Sequence, residues 1–188
     1  MSDKKQDGRI KYTKMVLRDS LIALMREKPI AKVTVTEICQ GADINRATFY
    51  AHYADPFALL SSIENEMMLD ITEKLGDAFS LEDTDLPAIL ARVFEYIKEN
   101  SVVCSVLLSD MSDTGFQAQV VAMLAKQFIV EWTTIKSISR EDAEYLYTYA
   151  AIGCVGLIRK WLTEGMKKTP ESMAELVMKL SNRGYSAF

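Results

Sequence analysis

The chain has 188 residues, 49% apolar and 26% charged, with a formal net charge of −4. That suits one domain or two small ones and is long enough for a sizeable core, with the ordinary composition of a globular protein. No apolar run approaches the ~20 residues that span a bilayer, and the polar opening MSDKKQDGRIKYTK lacks the apolar stretch of a signal peptide, so no membrane partner and a cytoplasmic location are expected.

No stretch alternates with the period of a strand and no Asn-Gly hairpin occurs, whereas helical periodicity recurs throughout, so the expected fold is all-α with about nine helices. Residues 1–9 read as a flexible basic arm, 10–55 as a helix-turn-helix domain and 56–188 as a helical body. A first helix is predicted over about Ile10 to Glu27, with Val16, Leu17, Leu21, Leu24 and Met25 as its apolar stripe. In the next segment Thr34 stands three residues before Glu37, the spacing of a capping box. Val35, Ile38 and Cys39 then share one apolar face. Gly41-Ala42-Asp43 is read as the break and turn, and Asn45 as the cap of a two-turn helix, Arg46 to Tyr53. Asp55-Pro56, a cap followed by proline at the first helical position, opens a long helix to about Phe79, with Leu59, Leu60, Ile63, Met67, Ile71 and Leu75 on one face. A polar loop, Ser80 to Asp85, leads to a helix over Leu86 to Glu99. Asn100-Ser101 marks a fresh cap before a short helix, Val102 to Leu108. A long amphipathic helix is predicted over Phe116 to Ile138. Ser139, with Asp142 in the capping-box position, then starts a helix that Gly165 ends near Glu164, and Pro170 opens the last one, to about Asn182.

The charges are not spread evenly. Residues 1–55 hold ten Lys/Arg against seven Asp/Glu, a net +3, and residues 56–188 carry −7. A basic head on an acidic body is the asymmetry of a nucleic-acid binder whose body resists non-specific sticking to the duplex.

The stretch from Thr34 to Tyr53 resembles the helix-turn-helix of the TetR family of bacterial transcriptional regulators. The pattern is carried by Thr34-Val35, Ile38 and Thr48-Phe49-Tyr50-Ala51-His52-Tyr53, where the family has Thr-Val, Ile and Thr-Leu-Tyr-x-His-Phe. Gly153, Gly156, Trp161 and Gly165 also resemble the C-terminal domain of one TetR branch. Two positions depart from the pattern. Pro56 and Phe57 stand where the family has Lys and Glu, so a common phosphate anchor is missing, and Pro29 replaces a glycine after the first helix.

The side chains of the recognition helix divide by face. Ala47 and Phe49 lean toward packing, with Phe49 as the plug against the first helix, while Arg46, Thr48, Tyr50 and His52 reach outward. Arginine can bond guanine O6 and N7 in bidentate fashion, and threonine can touch a thymine methyl or a phosphate. The resemblance implies that Tyr50 and His52 meet backbone phosphates. Thr34 and Thr36 open the preceding helix, whose free N–H groups favour a phosphate. The set expected at the DNA is therefore Thr34, Thr36, Asn45, Arg46, Ala47, Thr48, Tyr50, His52 and Tyr53, with Lys14 from the first helix. Lys4, Lys5, Arg9 and Lys11 join Lys14 in a segment that either tracks phosphates or is a solvated tail.

Catalytic and metal chemistry find no support. His52 is the single histidine and has no cysteine or carboxylate partner at ligand spacing, and no nucleophile elbow, P-loop or dinucleotide-binding glycine pattern occurs. The three cysteines, Cys39, Cys104 and Cys154, sit far apart among apolar neighbours and read as buried free thiols. No catalytic residue, metal or cofactor is expected.

In the body most aromatic and methionine side chains are core by default. The same chemistry also lines adaptable ligand cavities, and the resemblance implies a small-molecule effector held inside. Phe94, Met111, Phe116, Phe128, Trp132 and Tyr149 are the candidate lining, with a cavity expected between the long helix and the helix Phe116 to Ile138. In the TetR family the last two long helices pair with their two-fold mates. That implies a homodimer through Ala150, Gly153, Cys154, Gly156, Leu157, Trp161, Leu176 and Leu180. Two functions fit. One is a dimeric repressor on a palindromic double-stranded operator, released by a small molecule. The other is an activator or adaptor of the same fold whose body docks a partner protein.

Overall fold

The computed structural model describes residues 2–76, 86–109, 112, 115–120, 122 and 139–185. Among them every regular element is helical. The order is α1 (Ser2–Met25), a 3-10 turn (Ile30–Lys32), α2 (Val35–Ala42), α3 (Arg46–Tyr50), α4 (Pro56–Gly76), α5 (Leu86–Glu99), α6 (Ser101–Leu107), α7 (Arg140–Thr163) and α8 (Pro170–Tyr185). Residues 116–120 are helical as well. The chain divides into two compact units, Met1–Met67 with Ser109–Thr114, and Met68–Leu108 with Gly115–Phe188.

The first unit is built on α1, α2 and α3. Leu17, Leu21 and Met25 line the buried side of α1, and Ile38, Phe49, Leu59, Leu60, Ile63 and Met67 are buried in the same unit. Burying a side chain of this size is worth ~1.5–3 kcal/mol, so this short unit has a core of its own. Residues 2–9, expected as a flexible arm, are instead the first turns of α1. Lys, Gln and Arg are good helix formers, and the single glycine there, Gly8, costs only ~1 kcal/mol.

The second unit packs α5 against α8 most extensively, with α6 against α7 and α5 against α6. Phe94 and Trp161 meet edge-to-face, ring centroids 5.5 Å apart, and both are buried with Ile97, Leu107, Val155 and Met173. Tyr96 is buried too; its hydroxyl donates to Asp70 Oδ2 at 2.9 Å, and Lys74 Nζ sits 5.1 Å from its ring centroid.

Local signals set the ends of α7 and α8. Ser139 Oγ accepts from Asp142 N at 3.1 Å. At the other end Gly165 takes a positive φ of 76°, Gly165 N donates to Leu162 O and Met166 N donates to Trp161 O at 2.8 Å. This is the Schellman closure, in which glycine avoids the Cβ penalty. Thr169 Oγ1 accepts from Ser172 N, with Pro170 in the first helical position. Asn100 differs from expectation: its side chain makes no forward cap, and its Nδ2 donates back to Tyr96 O at 3.0 Å. Its side chain closes α5, while its backbone carbonyl accepts from Cys104 N at 2.9 Å and opens α6.

Candidate nucleic-acid interface

The α2–α3 corner is assembled from side-chain bonds only three residues long. Thr34 Oγ1 accepts from Glu37 N at 3.3 Å and donates to Glu37 Oε2 at 2.8 Å, and Glu37 Oε2 also accepts from Thr34 N at 3.0 Å. The capping box is therefore closed in both directions. Lys28 Nζ adds a 2.5 Å ion pair to Glu37 Oε1. Hydrogen bonds from Lys28, then from Thr34, hold the Glu37 carboxyl down at about 2. Asn45 Oδ1 accepts from Thr48 N at 2.7 Å and starts α3, and Asp55 Oδ1 accepts from Ala58 N at 2.8 Å at the start of α4.

Gly41 does not break the helix. It lies within α2, and a Cβ built on it would stand 2.4 Å from Ser20 Oγ. Ser20 in turn is buried and donates to Ile38 O at 2.8 Å, tying α1 to α2. The glycine is thus there for close approach of two helices. The turn is made by Asp43, left-handed at φ 51° and ψ 44°, a conformation that Asp and Asn adopt more readily than other side chains. The recognition helix is also shorter than expected. Regular α-helix ends at Tyr50, although Tyr53 N still donates to Phe49 O at 2.9 Å.

Phe49 is fully buried beneath this corner, and the side chains around it open outward. Thr34, Thr36, Asn45, Arg46 and Tyr50 are exposed, and Thr48, His52 and Tyr53 are half-buried. Lys14 is exposed on α1. Ala47, expected to lean toward packing with Phe49, is exposed, because α3 buries a single residue against the core. Thr34 Oγ1 is engaged in the capping box and Asn45 Oδ1 in the cap. Arg46 Nη2 donates to Tyr50 Oη at 3.5 Å, and that bond pushes the guanidinium further above its ordinary range. Between α2 and α3 lies an open depression of about 500 Å³ lined by Thr36, Cys39, Gln40, Asp43, Ile44, Asn45 and Arg46. Cys39 forms its floor as a buried thiol pushed up by desolvation. Sequence reasoning missed Gln40 and Asp43. The signal was present in the spacing, since Thr36 and Gln40 stand four apart and share a face of α2.

The expected effector residues scatter. Phe94 and Phe116 are buried in the second unit, and Tyr149 is 80% exposed on α7. Met111, Phe128 and Trp132 lie outside the described residues, as does most of the predicted helix Phe116 to Ile138 and with it the expected cavity. Of the candidate dimer residues, Gly153, Gly156 and Leu180 are exposed, and Ala150, Cys154, Leu157 and Leu176 are half-buried. Burial of its sulfur pushes the Cys154 thiol up to about 11. Trp161 belongs elsewhere: it is buried within its own unit, and its indole N–H donates to Lys168 O at 2.9 Å, across the loop that follows α7. No described helix is long and apolar enough to cross a membrane, and no three His, Cys, Asp or Glu side chains gather as a metal site among the described residues.

A corner of two short capped helices over one buried aromatic, with Thr, Gln and Arg opened to solvent, is the arrangement of a DNA reader. Residues 84–183, just over half of the chain, match the TetR family model described as a transcriptional regulator C-terminal region. The chain belongs to the TetR family of transcriptional regulators. This TetR-family regulator is 25% identical, over 87% of its length, to YxbF of Bacillus subtilis strain 168, described as an uncharacterised HTH-type transcriptional regulator; it spans 43% of that relative. Its fold is similar to that of the dihydroxyacetone kinase operon activator DhaS, with a TM-score of 0.59 and 20% identity over 94% of this chain and 97% of that one. It is also similar to the transcriptional regulator FadR of Bacillus subtilis in complex with stearoyl-CoA, with a TM-score of 0.66 and 15% identity over 89% and 96% of the two chains.

Proposed function

We propose that this TetR-family regulator is a dimeric repressor. Each copy reads one half of a palindromic operator with its α2–α3 corner, and a small molecule entering the helical body releases the DNA. The observation that carries the DNA-reading part is the exposure pattern. Thr36, Gln40, Arg46, Ala47 and Tyr50 all face outward around the buried Phe49, so polar and cationic groups are presented without weakening the core. A single corner of this size offers too few base contacts for useful specificity. Two copies related by a two-fold axis would meet half-sites about 34–36 Å apart.

The dimer reading is supported by α7. Tyr145, Tyr149 and Ile152 are exposed there, with Leu180 exposed on α8. Among the described residues, a Cβ added to Gly153 or Gly156 would meet nothing within 4 Å. Each glycine costs the helix ~1 kcal/mol relative to alanine and makes no close approach to another described residue. Contact with a second copy would explain both. Gly153→Leu and Gly156→Leu are therefore expected to leave the protomer folded and yield monomers, read by light scattering. An intact dimer in both variants would place the interface elsewhere.

The effector reading draws on likeness of fold. FadR holds stearoyl-CoA, so apolar acyl compounds are the first class to screen. A full reversal from 99:1 bound-competent to 1:99 takes ~5.5 kcal/mol of differential affinity, which calls for an enclosed, largely apolar site. The deciding experiment is a gel shift on a duplex selected from a randomised pool. A repressor of this kind binds it alone and loses it when the effector is added. Arg46→Ala should weaken that complex by ~1–3 kcal/mol, and Lys14→Ala should weaken binding to all sequences and flatten the salt slope. The second reading, an activator whose acidic body docks a protein, is favoured by the likeness to the operon activator DhaS. A reporter whose output rises with this protein, and for which no small molecule releases the DNA, would select it.

A further inference from the structure

We propose that Tyr50 is a positioning residue for Arg46, holding the guanidinium in one direction so that Arg46 reads a base instead of sampling the groove. This deepens the DNA-reading function proposed above and rests on it. The two residues stand four apart on α3, where side chains lie one above the other. Arg46 Nη2 donates to Tyr50 Oη at 3.5 Å, and the guanidinium carbon lies 5.9 Å from the ring centroid. The bond is long, so it sets a direction more than it adds stability. The ring is itself anchored: it meets Phe49 edge-to-face at 5.6 Å with an interplanar angle of 89°, and Phe49 is fully buried. A line of contacts thus runs from the core, through Phe49 and Tyr50, to a cation in solvent.

A free arginine side chain samples many rotamers. Held on Tyr50, Arg46 has lost part of that freedom before DNA arrives. A tethered guanidinium can favour one base edge, whereas a free one serves phosphates and bases alike. A tyrosine bonded only to a phosphate would behave differently, because phosphate contacts add affinity and carry no sequence information.

The test uses the duplex that the wild-type protein recovers best from a randomised pool, together with its single-base-pair variants across one half-site. Arg46→Ala should lose about tenfold in discrimination at one base pair. Tyr50→Ala should lose about the same discrimination at the same pair, and the double variant should be no worse there than Arg46→Ala alone. Tyr50→Phe keeps the ring but removes the oxygen that accepts from Arg46, and should lose part of the discrimination at that same pair. If Tyr50→Ala weakens all duplexes alike, leaves discrimination intact and adds to Arg46→Ala, Tyr50 is a phosphate contact and the inference is overturned. Failure of the underlying function looks different: the wild-type protein would recover no preferred sequence, and the inference would fall with it.

Discussion

The two units use their aromatic side chains in opposite ways. In the first, one buried ring, Phe49, supports a corner whose neighbours open to solvent, and the helices there are held at their ends by short side-chain bonds. In the second, Phe94, Tyr96, Phe116, Tyr147 and Trp161 are buried, while Tyr145 and Tyr149 are exposed on the same helix as Tyr147 and Trp161. A reading head must hold a few polar groups still with little material, and local capping does this cheaply in residues. A body of long helices is held by packing between distant segments, and the role of each aromatic follows from its neighbours.

Large-to-small changes at the two ring clusters should sharpen that contrast most. Phe49→Ala and Trp161→Ala each remove a buried ring, and each is expected to cost ~3–5 kcal/mol, visible as a lower melting temperature. They should separate in DNA binding. Phe49→Ala should abolish specific binding, while the folded fraction of Trp161→Ala should keep wild-type affinity for the selected duplex. Equal loss of affinity per folded molecule in both variants would break the contrast.

A smaller effect is expected where α1 meets α2. Gly41→Ala places a Cβ against Ser20 Oγ, which is committed to Ile38 O. The cost should be ~1–3 kcal/mol, as for other overpacked sites. The double change Gly41→Ala with Ser20→Ala should recover part of it in chemical denaturation. No loss in the single variant would mean that the helices slide apart freely.

The capping box should respond to both mutation and pH. Thr34→Ala is expected to cost ~1 kcal/mol. The Glu37 carboxyl is lowered from an ordinary 4.5 to about 2 in the folded chain. A depressed carboxyl stabilises the fold above its unfolded value and loses that contribution as pH falls through its folded one. Part of the head's stability should therefore disappear between these two values, and Glu37→Gln should flatten that part of the denaturation profile. An identical acid profile in wild type and Glu37→Gln would show that the box contributes nothing in solution.

The smallest expected effect is a gain. Asp43 holds a left-handed conformation that costs a non-glycine residue ~1–2 kcal/mol, reduced for Asp by local bonding. Asp43→Gly should relieve this while loosening the unfolded chain, for a net change within about 1 kcal/mol in the stabilising direction. It also removes a carboxylate from the wall of the α2–α3 depression, so binding to random duplex should tighten. Unchanged affinity for random DNA would mean that this wall does not face the phosphates.

The sequence by itself determined the helices wherever their signals are local. Thr34 with Glu37, Asn45, Asp55-Pro56, Ser139 with Asp142, Gly165 and Pro170 each place an end through a partner within a few residues, and the structure closes those ends as the spacing implies. The all-α class and the family were legible for the same reason, because a helix-turn-helix is written almost wholly in caps and in one apolar face. Only the tertiary structure decided what depends on residues far apart in the chain. Gly41 looks like a breaker until Ser20 is set beside it. Trp161 looks like a seam residue until Phe94 and the Lys168 carbonyl enclose it, and Tyr149 looks like a pocket wall until its helix turns it to solvent. A capping bond is specified by spacing along the chain, whereas burial is set by whatever the fold brings from elsewhere.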